Sequence, residues 1–146
     1  MKPTVYVETS VVSYLTARPS RDVIVLGNQF ATRAWWANAT EMYNLVTSDP
    51  VIWEARQGHS EAASRQIAKL EHLPLLEISD DAEALSSKLV CENAMPVTAA
   101  RDAIHVSLAG VNGVEFLTTR NFRHIANPMT ILRINAVAEM RVTSQS

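Results

Sequence analysis

The sequence predicts a single α/β domain whose parallel sheet is covered by helices on both faces. Short β-branched strands alternate with helical segments along the chain, and the first three strands each run into a residue suited to capping a helix. With 47% hydrophobic residues, the 146-residue chain can build one substantial core and is short for two. Residues 1–140 read as that domain and residues 141–146 as a loose polar C-terminal tail.

The first strand is Val5-Tyr6-Val7, which runs into Glu8 and then into Thr9 and Ser10, two hydroxyl residues at a helix start. Val11 to Leu15 continues as a short helix or turn, broken at Ala17-Arg18-Pro19-Ser20 because proline disfavours helix at the residue before it. From Arg21 to Leu45 apolar residues recur three or four apart, which predicts a long helix or two joined end to end. Leu45 to Ser48 is strand two, and Asp49-Pro50 predicts a helix start with a capping acid. Gly58 ends that helix, Ser60 to His72 forms the next, and Pro74 to Ile78 is strand three. Ser79 caps a helix through Glu92, and Ala99 to Ala109 forms a helix closed by the Gly110-Val111-Asn112-Gly113 turn. Val114 to Thr118 is strand four and Met129 to Ile134 strand five.

Thirteen basic and fifteen acidic residues leave a formal charge of −2, so a polyanion site, if present, must be local. Only Lys2, Lys69 and Lys88 are lysines; the other basic residues are arginines, which suit planar recognition of phosphate or carboxylate. The lone Cys91 excludes an internal disulfide, no apolar run is long enough for a bilayer, and no Cys/His zinc framework exists. A bound metal would therefore need oxygen ligands, and the expected location is cytoplasmic, with no membrane partner.

The chemistry concentrates in three acids. Glu8 ends strand one, where an open α/β sheet collects ligands. Glu54 lies one turn inside the helix after strand two. Asp102 shares a helix face with His105, Val106 and Ala109, so a carboxylate sits on an otherwise apolar stripe. Each acid has an ordinary reading as a solvated loop or helix-start residue. Clustered at one sheet edge, three carboxylates would raise one another's pKa unless a hard divalent cation took their oxygens. His105 reads as a hydrogen-bonded interior histidine more readily than as a ligand, and Trp35 and Trp36 as core residues more readily than as a partner surface.

Four segments carry a family resemblance. Val5-Tyr6-Val7-Glu8-Thr9-Ser10, Ser48 to Glu54, Ala100-Arg101-Asp102-Ala103-Ile104-His105-Val106 and Leu117 to Asn127 fall in the order and spacing of four motifs. On these the chain resembles the PIN domain, particularly the VapC-type toxin ribonucleases of bacterial toxin–antitoxin pairs, over almost its whole length. The resemblance implies a three-layer α/β/α sandwich with a five-stranded, mainly parallel sheet in the order 3-2-1-4-5. It also implies Mg²⁺ or Mn²⁺ at the acidic site and hydrolysis of RNA phosphodiesters. Two positions depart from the family pattern: Glu8 and Asn121 stand where aspartates are usual, and fewer formal charges should weaken the site, above all for a second ion.

The expected roles follow. Glu8 and Asp102 bind the metal directly, Glu54 binds it or holds a ligand water, and Asn121 completes the catalytic set by hydrogen-bonding a metal water or the scissile phosphate. Ser10, Arg120, Arg123 and His124 contact the RNA backbone, with Ser10 and Thr9 also able to donate to the carboxylates. The expected partners are RNA, a cognate antitoxin and a second copy in a homodimer. The alternative is a catalytically weak or inactive PIN-like module that binds RNA or protein. A receiver domain would want a lysine after strand five, and a dinucleotide-binding enzyme would want glycines after strand one; neither is present.

Overall fold

The central strand β1 (Thr4–Val7) forms where alternating β-branched and aromatic side chains suit a pleated surface, and its last three residues are buried. The computed structural model describes residues 2–92, 94–95, 99–120 and 142–144. Beyond β1 the chain turns into α1 (Thr9–Thr16), capped by Glu8, whose carboxylate accepts the Ser10 backbone N–H at 3.0 Å. One continuous helix, α2 (Val23–Met42), follows the Pro19 break. Its cap is Asp22, which accepts from the N–H groups of Ile24 and Val25.

Strand β2 (Asn44–Ser48) leads without a loop into α3 (Asp49–Arg56). The cap of α3 is Ser48, not the expected Asp49: the serine is extended, its Oγ accepts the Val51 N–H, and Asp49 with Pro50 opens the first turn. Then come α4 (Ser60–Leu70), the two-residue β3 (Leu75–Leu76), α5 (Asp80–Cys91, capped by Ser79), α6 (Ala100–Val111) and β4 (Phe116–Thr119). The fifth strand, β5, is Val142–Ser144, so the segment read as a loose tail is paired to β4. The expected strand at Met129–Ile134 lies outside the described residues. Backbone pairing decides this end of the sheet, and the polar side chains of the tail gave no sign of it.

The sheet has the order β3-β2-β1-β4-β5 and every pair is parallel. β1 lies between β2 and β4, so chain order reverses beside it, and in such sheets a crevice opens beyond the strands' carboxyl ends at that point. Helices α1 to α4 pack among themselves and α5 packs on α6. Helix α6 is buried over nearly its whole length after the first turn, through Ala103, His105, Val106, Ser107, Leu108 and Ala109. Trp35 and Trp36 pack against the core in edge contact, and Trp35 stacks on Tyr43, in keeping with their expected core role. No helix among the described residues is long and apolar enough to cross a membrane.

Candidate active site

Glu8 leaves β1 directly into the crevice and is only 4% exposed. Its Oε2 gathers three donors: the Ser10 N–H, the Ser10 hydroxyl and the Thr119 hydroxyl at 2.9 Å. Among the described residues none falls on Oε1. Burial pushes the Glu8 carboxyl above the usual carboxylate range; the nearby His105 and the hydroxyl donors offset this only in part. The Ser10 hydroxyl also accepts the Arg120 N–H at 2.7 Å, so the ends of β1 and β4 are tied through this one serine. Ser10, expected to touch substrate, is therefore engaged in holding Glu8.

Glu54 projects from the second turn of α3 toward the same point. Thr9 donates to its Oε1, and His105 Nε2 lies 2.8 Å from Oε1 and 3.1 Å from Oε2. Behind the imidazole, Nδ1 is 2.6 Å from the Tyr6 hydroxyl, which is 2.7 Å from Ser48 Oγ. With a neutral imidazole the donors run in one direction: Val51 N–H to Ser48, Ser48 O–H to Tyr6, Tyr6 O–H to Nδ1, and Nε2–H to Glu54. In either protonation state Nε2 carries the hydrogen that Glu54 accepts. Tyr6 and His105 are fully buried. Burial alone would raise the Glu54 carboxyl, but the His105 contact and charge, the Thr9 hydroxyl and Arg101 hold it below the usual range. Burial likewise works against charging His105, yet Glu54, Glu8 and Asp102 together raise its affinity for a proton. His105 is thus the hydrogen-bonded interior histidine expected from the sequence, and its chain of partners back to Ser48 is the part that sequence reasoning missed.

Asp102 lies in the first turn of α6, partly buried, where the helix N-terminus favours an acid and its charge reaches His105. The atoms close enough to share one ion are a carboxylate oxygen each from Glu8 and Glu54 and a ring nitrogen of His105, all within 4.8 Å of one another. Asp102 stands outside that inner group. Arg120 departs from expectation. Its side chain is buried, not exposed to an RNA backbone: Nε donates to Thr32 Oγ1 at 2.8 Å, and its two terminal nitrogens have no partner among the described residues. The physical reason is position, since Arg120 follows β4 directly and points beneath α2. Asn121, Arg123 and His124 lie outside the described residues.

The donor set fits a hard divalent cation. A buried and a part-buried carboxylate this close repel each other, and oxygen ligands suit Mg²⁺ or Mn²⁺. Both nitrogens of His105 are already engaged, which favours a holding role over ligation.

By sequence, no family model and no curated protein matches the chain. By structure, it aligns over 98% of its length with 99% of a VapBC2 structure from Rickettsia felis bound to a DNA fragment of its promoter, at TM-score 0.66 and 10% identity. It has the VapC-type PIN-domain fold. FitAcB from Neisseria gonorrhoeae aligns over 94% of this chain and 95% of its own, at TM-score 0.61 and 14% identity. VapC20 from Mycobacterium tuberculosis, described as a toxin cleaving the sarcin–ricin loop, aligns over 77% of this chain and 86% of its own, at TM-score 0.58 and 18% identity.

Proposed function

We propose that this protein is a metal-dependent endoribonuclease, the toxin of a toxin–antitoxin pair. The observation that carries the reading is the pair of carboxylates, Glu8 and Glu54, converging at the carboxyl edge of a PIN-type sheet. Their environments push them apart: Glu8 is driven toward its protonated form and Glu54 is held charged. Separation of that kind marks acid–base sites and cation sites. Glu8 and Glu54 would hold Mg²⁺ or Mn²⁺ directly, and Asp102, outside that inner group, would hold it through a ligand water. Such a cation supplies charge for the phosphodiester oxygens and lowers the pKa of a bound water.

The protein's own part is positional. Glu54, fixed by His105 and Thr9, is the charged carboxylate placed to orient an attacking water and take its proton. Glu8, fixed by Ser10 and Thr119, offers one oxygen to the cation. Asn121 would hydrogen-bond the scissile phosphate, and Arg123 and His124 would meet its neighbours. The cognate antitoxin and a second copy of the chain are the proposed protein partners. Support for the antitoxin comes from the fold neighbours, among them VapBC and FitAB assemblies.

The test is cleavage of a mixed RNA pool by the parent and Asp102→Asn, with Mg²⁺ or Mn²⁺ and with chelator. The parent should cut with metal only, and Asp102→Asn should lose at least about 100-fold, the range for removing a positioned catalytic group. Equal cutting by both proteins removes Asp102 from the mechanism. No cutting by either favours the binding-module alternative.

A further inference from the structure

Trp53 precedes Glu54 on α3 and is 51% exposed, whereas Trp35 and Trp36 pack against the core. The Arg101 guanidinium lies over its ring at 5.0 Å from the centroid, and Arg101 is itself exposed. Arg101 also reaches the acid cluster, since its charge helps to hold the Glu54 carboxyl down. The pair therefore stands at the rim of the candidate site, one member preceding Glu54 on α3 and the other preceding Asp102 on α6.

Beside Trp53 opens a cavity of about 350 Å³ lined by Asp49, Pro50, Trp53, Ile78 and Ile104. Every one of these residues comes from the carboxyl edge of the sheet: the first two turns of α3, the segment after β3 and the start of α6. The surface that these residues turn toward the recess is apolar. An aromatic face, a neighbouring guanidinium and an apolar recess are the parts that single-stranded nucleic acids use, with bases stacked and phosphates paired. An apolar peptide would use the recess but would leave the arginine beside the acids without a role.

We propose that Trp53, Arg101 and the adjoining recess form a subsite for one unpaired nucleotide of the RNA, flanking the scissile phosphate. The base stacks on Trp53 against the apolar recess, and Arg101 takes the adjacent phosphate in place of the buried Arg120. This rests on the ribonuclease reading and identifies where the strand leaves the acids.

Binding of end-labelled single-stranded oligoribonucleotides of mixed sequence, measured by anisotropy in chelator, separates the subsite from catalysis. Trp53→Ala should weaken binding about 5- to 100-fold, the range for losing one stacked base. Trp53→Phe should recover part of that loss, and Arg101→Ala should weaken binding and flatten its salt dependence more than Arg101→Lys. RNA should also quench tryptophan fluorescence in the parent and not in Trp53→Phe. If the parent binds RNA and the Trp53 and Arg101 variants bind as tightly, the subsite is overturned and the face is left to a protein partner. A parent that neither binds nor cuts RNA overturns the ribonuclease reading and the subsite together.

Discussion

Tyr6 is where three distant parts of the chain meet: its hydroxyl joins Ser48, 42 positions on, to His105, 99 positions on. Replacing it with phenylalanine keeps the ring and removes one oxygen, leaving buried Ser48 and His105 each short of a partner. Tyr6→Phe should cost about 1–3 kcal/mol in urea unfolding, the price of unsatisfied buried polar groups. It should also loosen Glu54, since the imidazole that holds the carboxylate loses its own anchor. A loss below about 0.5 kcal/mol would show that the hydroxyl is replaceable there. Much of this was hidden in the sequence. Glu8 and Glu54 could be read because a strand end and a helix start announce themselves locally. The Tyr6 chain could not, because its partners are brought together only by parallel pairing of β1 with β2 and β4. Arg120 misled for the opposite reason: a basic residue at a strand end looks solvated until the helix above it is placed.

The helices follow local rules closely, and capping residues explain their starts better than their ends. Asp22, Ser48 and Ser79 each accept backbone N–H groups at the beginning of a helix. One residue of α2 runs against its setting. Gly27 lies exposed inside the helix, and a Cβ built there meets nothing within 4 Å. Gly27→Ala should therefore stabilise the protein by about 1 kcal/mol, read as a higher urea midpoint with an unchanged slope. An unchanged midpoint would mean that this part of α2 contributes little to global stability. Element order and type were legible from β1 through β4 because hydrophobic periodicity reports them. The fifth strand at Val142–Ser144 was not, since a three-residue edge strand is too short for periodicity to reveal.

At the scale of the whole molecule, the fold holds the acids in place against their mutual repulsion, and pH exposes the consequence. In chelator, the raised Glu8 carboxyl keeps its proton in the folded state after the unfolded chain has lost it near pH 4.5. Stability therefore falls as pH rises from there through the raised value. Glu54 and His105 shift in the opposite sense for their kinds, the acid lowered and the imidazole raised. Their contribution is complete between about pH 4.5 and 6.5, fades below as Glu54 gains a proton, and fades above as His105 loses one. A cation in the Glu8 and Glu54 cluster replaces the proton and removes the loss at higher pH. The overall order of the sheet was legible only as what the family resemblance implies, and this electrostatic balance was not legible, because it depends on burial. Thermal unfolding of the parent and Glu8→Gln across pH, in chelator and in Mn²⁺, decides whether the cluster is a cation site. With Mn²⁺ at about 100 times its Kd, the parent above the raised Glu8 value should gain about 2.7 kcal/mol, or roughly 5–10 °C. Glu8→Gln should lack the Glu8 part of the alkaline loss, keeping only the His105 part above about pH 6.5, and should show no Mn²⁺ gain. Equal Mn²⁺ shifts in both proteins, or none in the parent, would contradict a divalent cation held by these carboxylates.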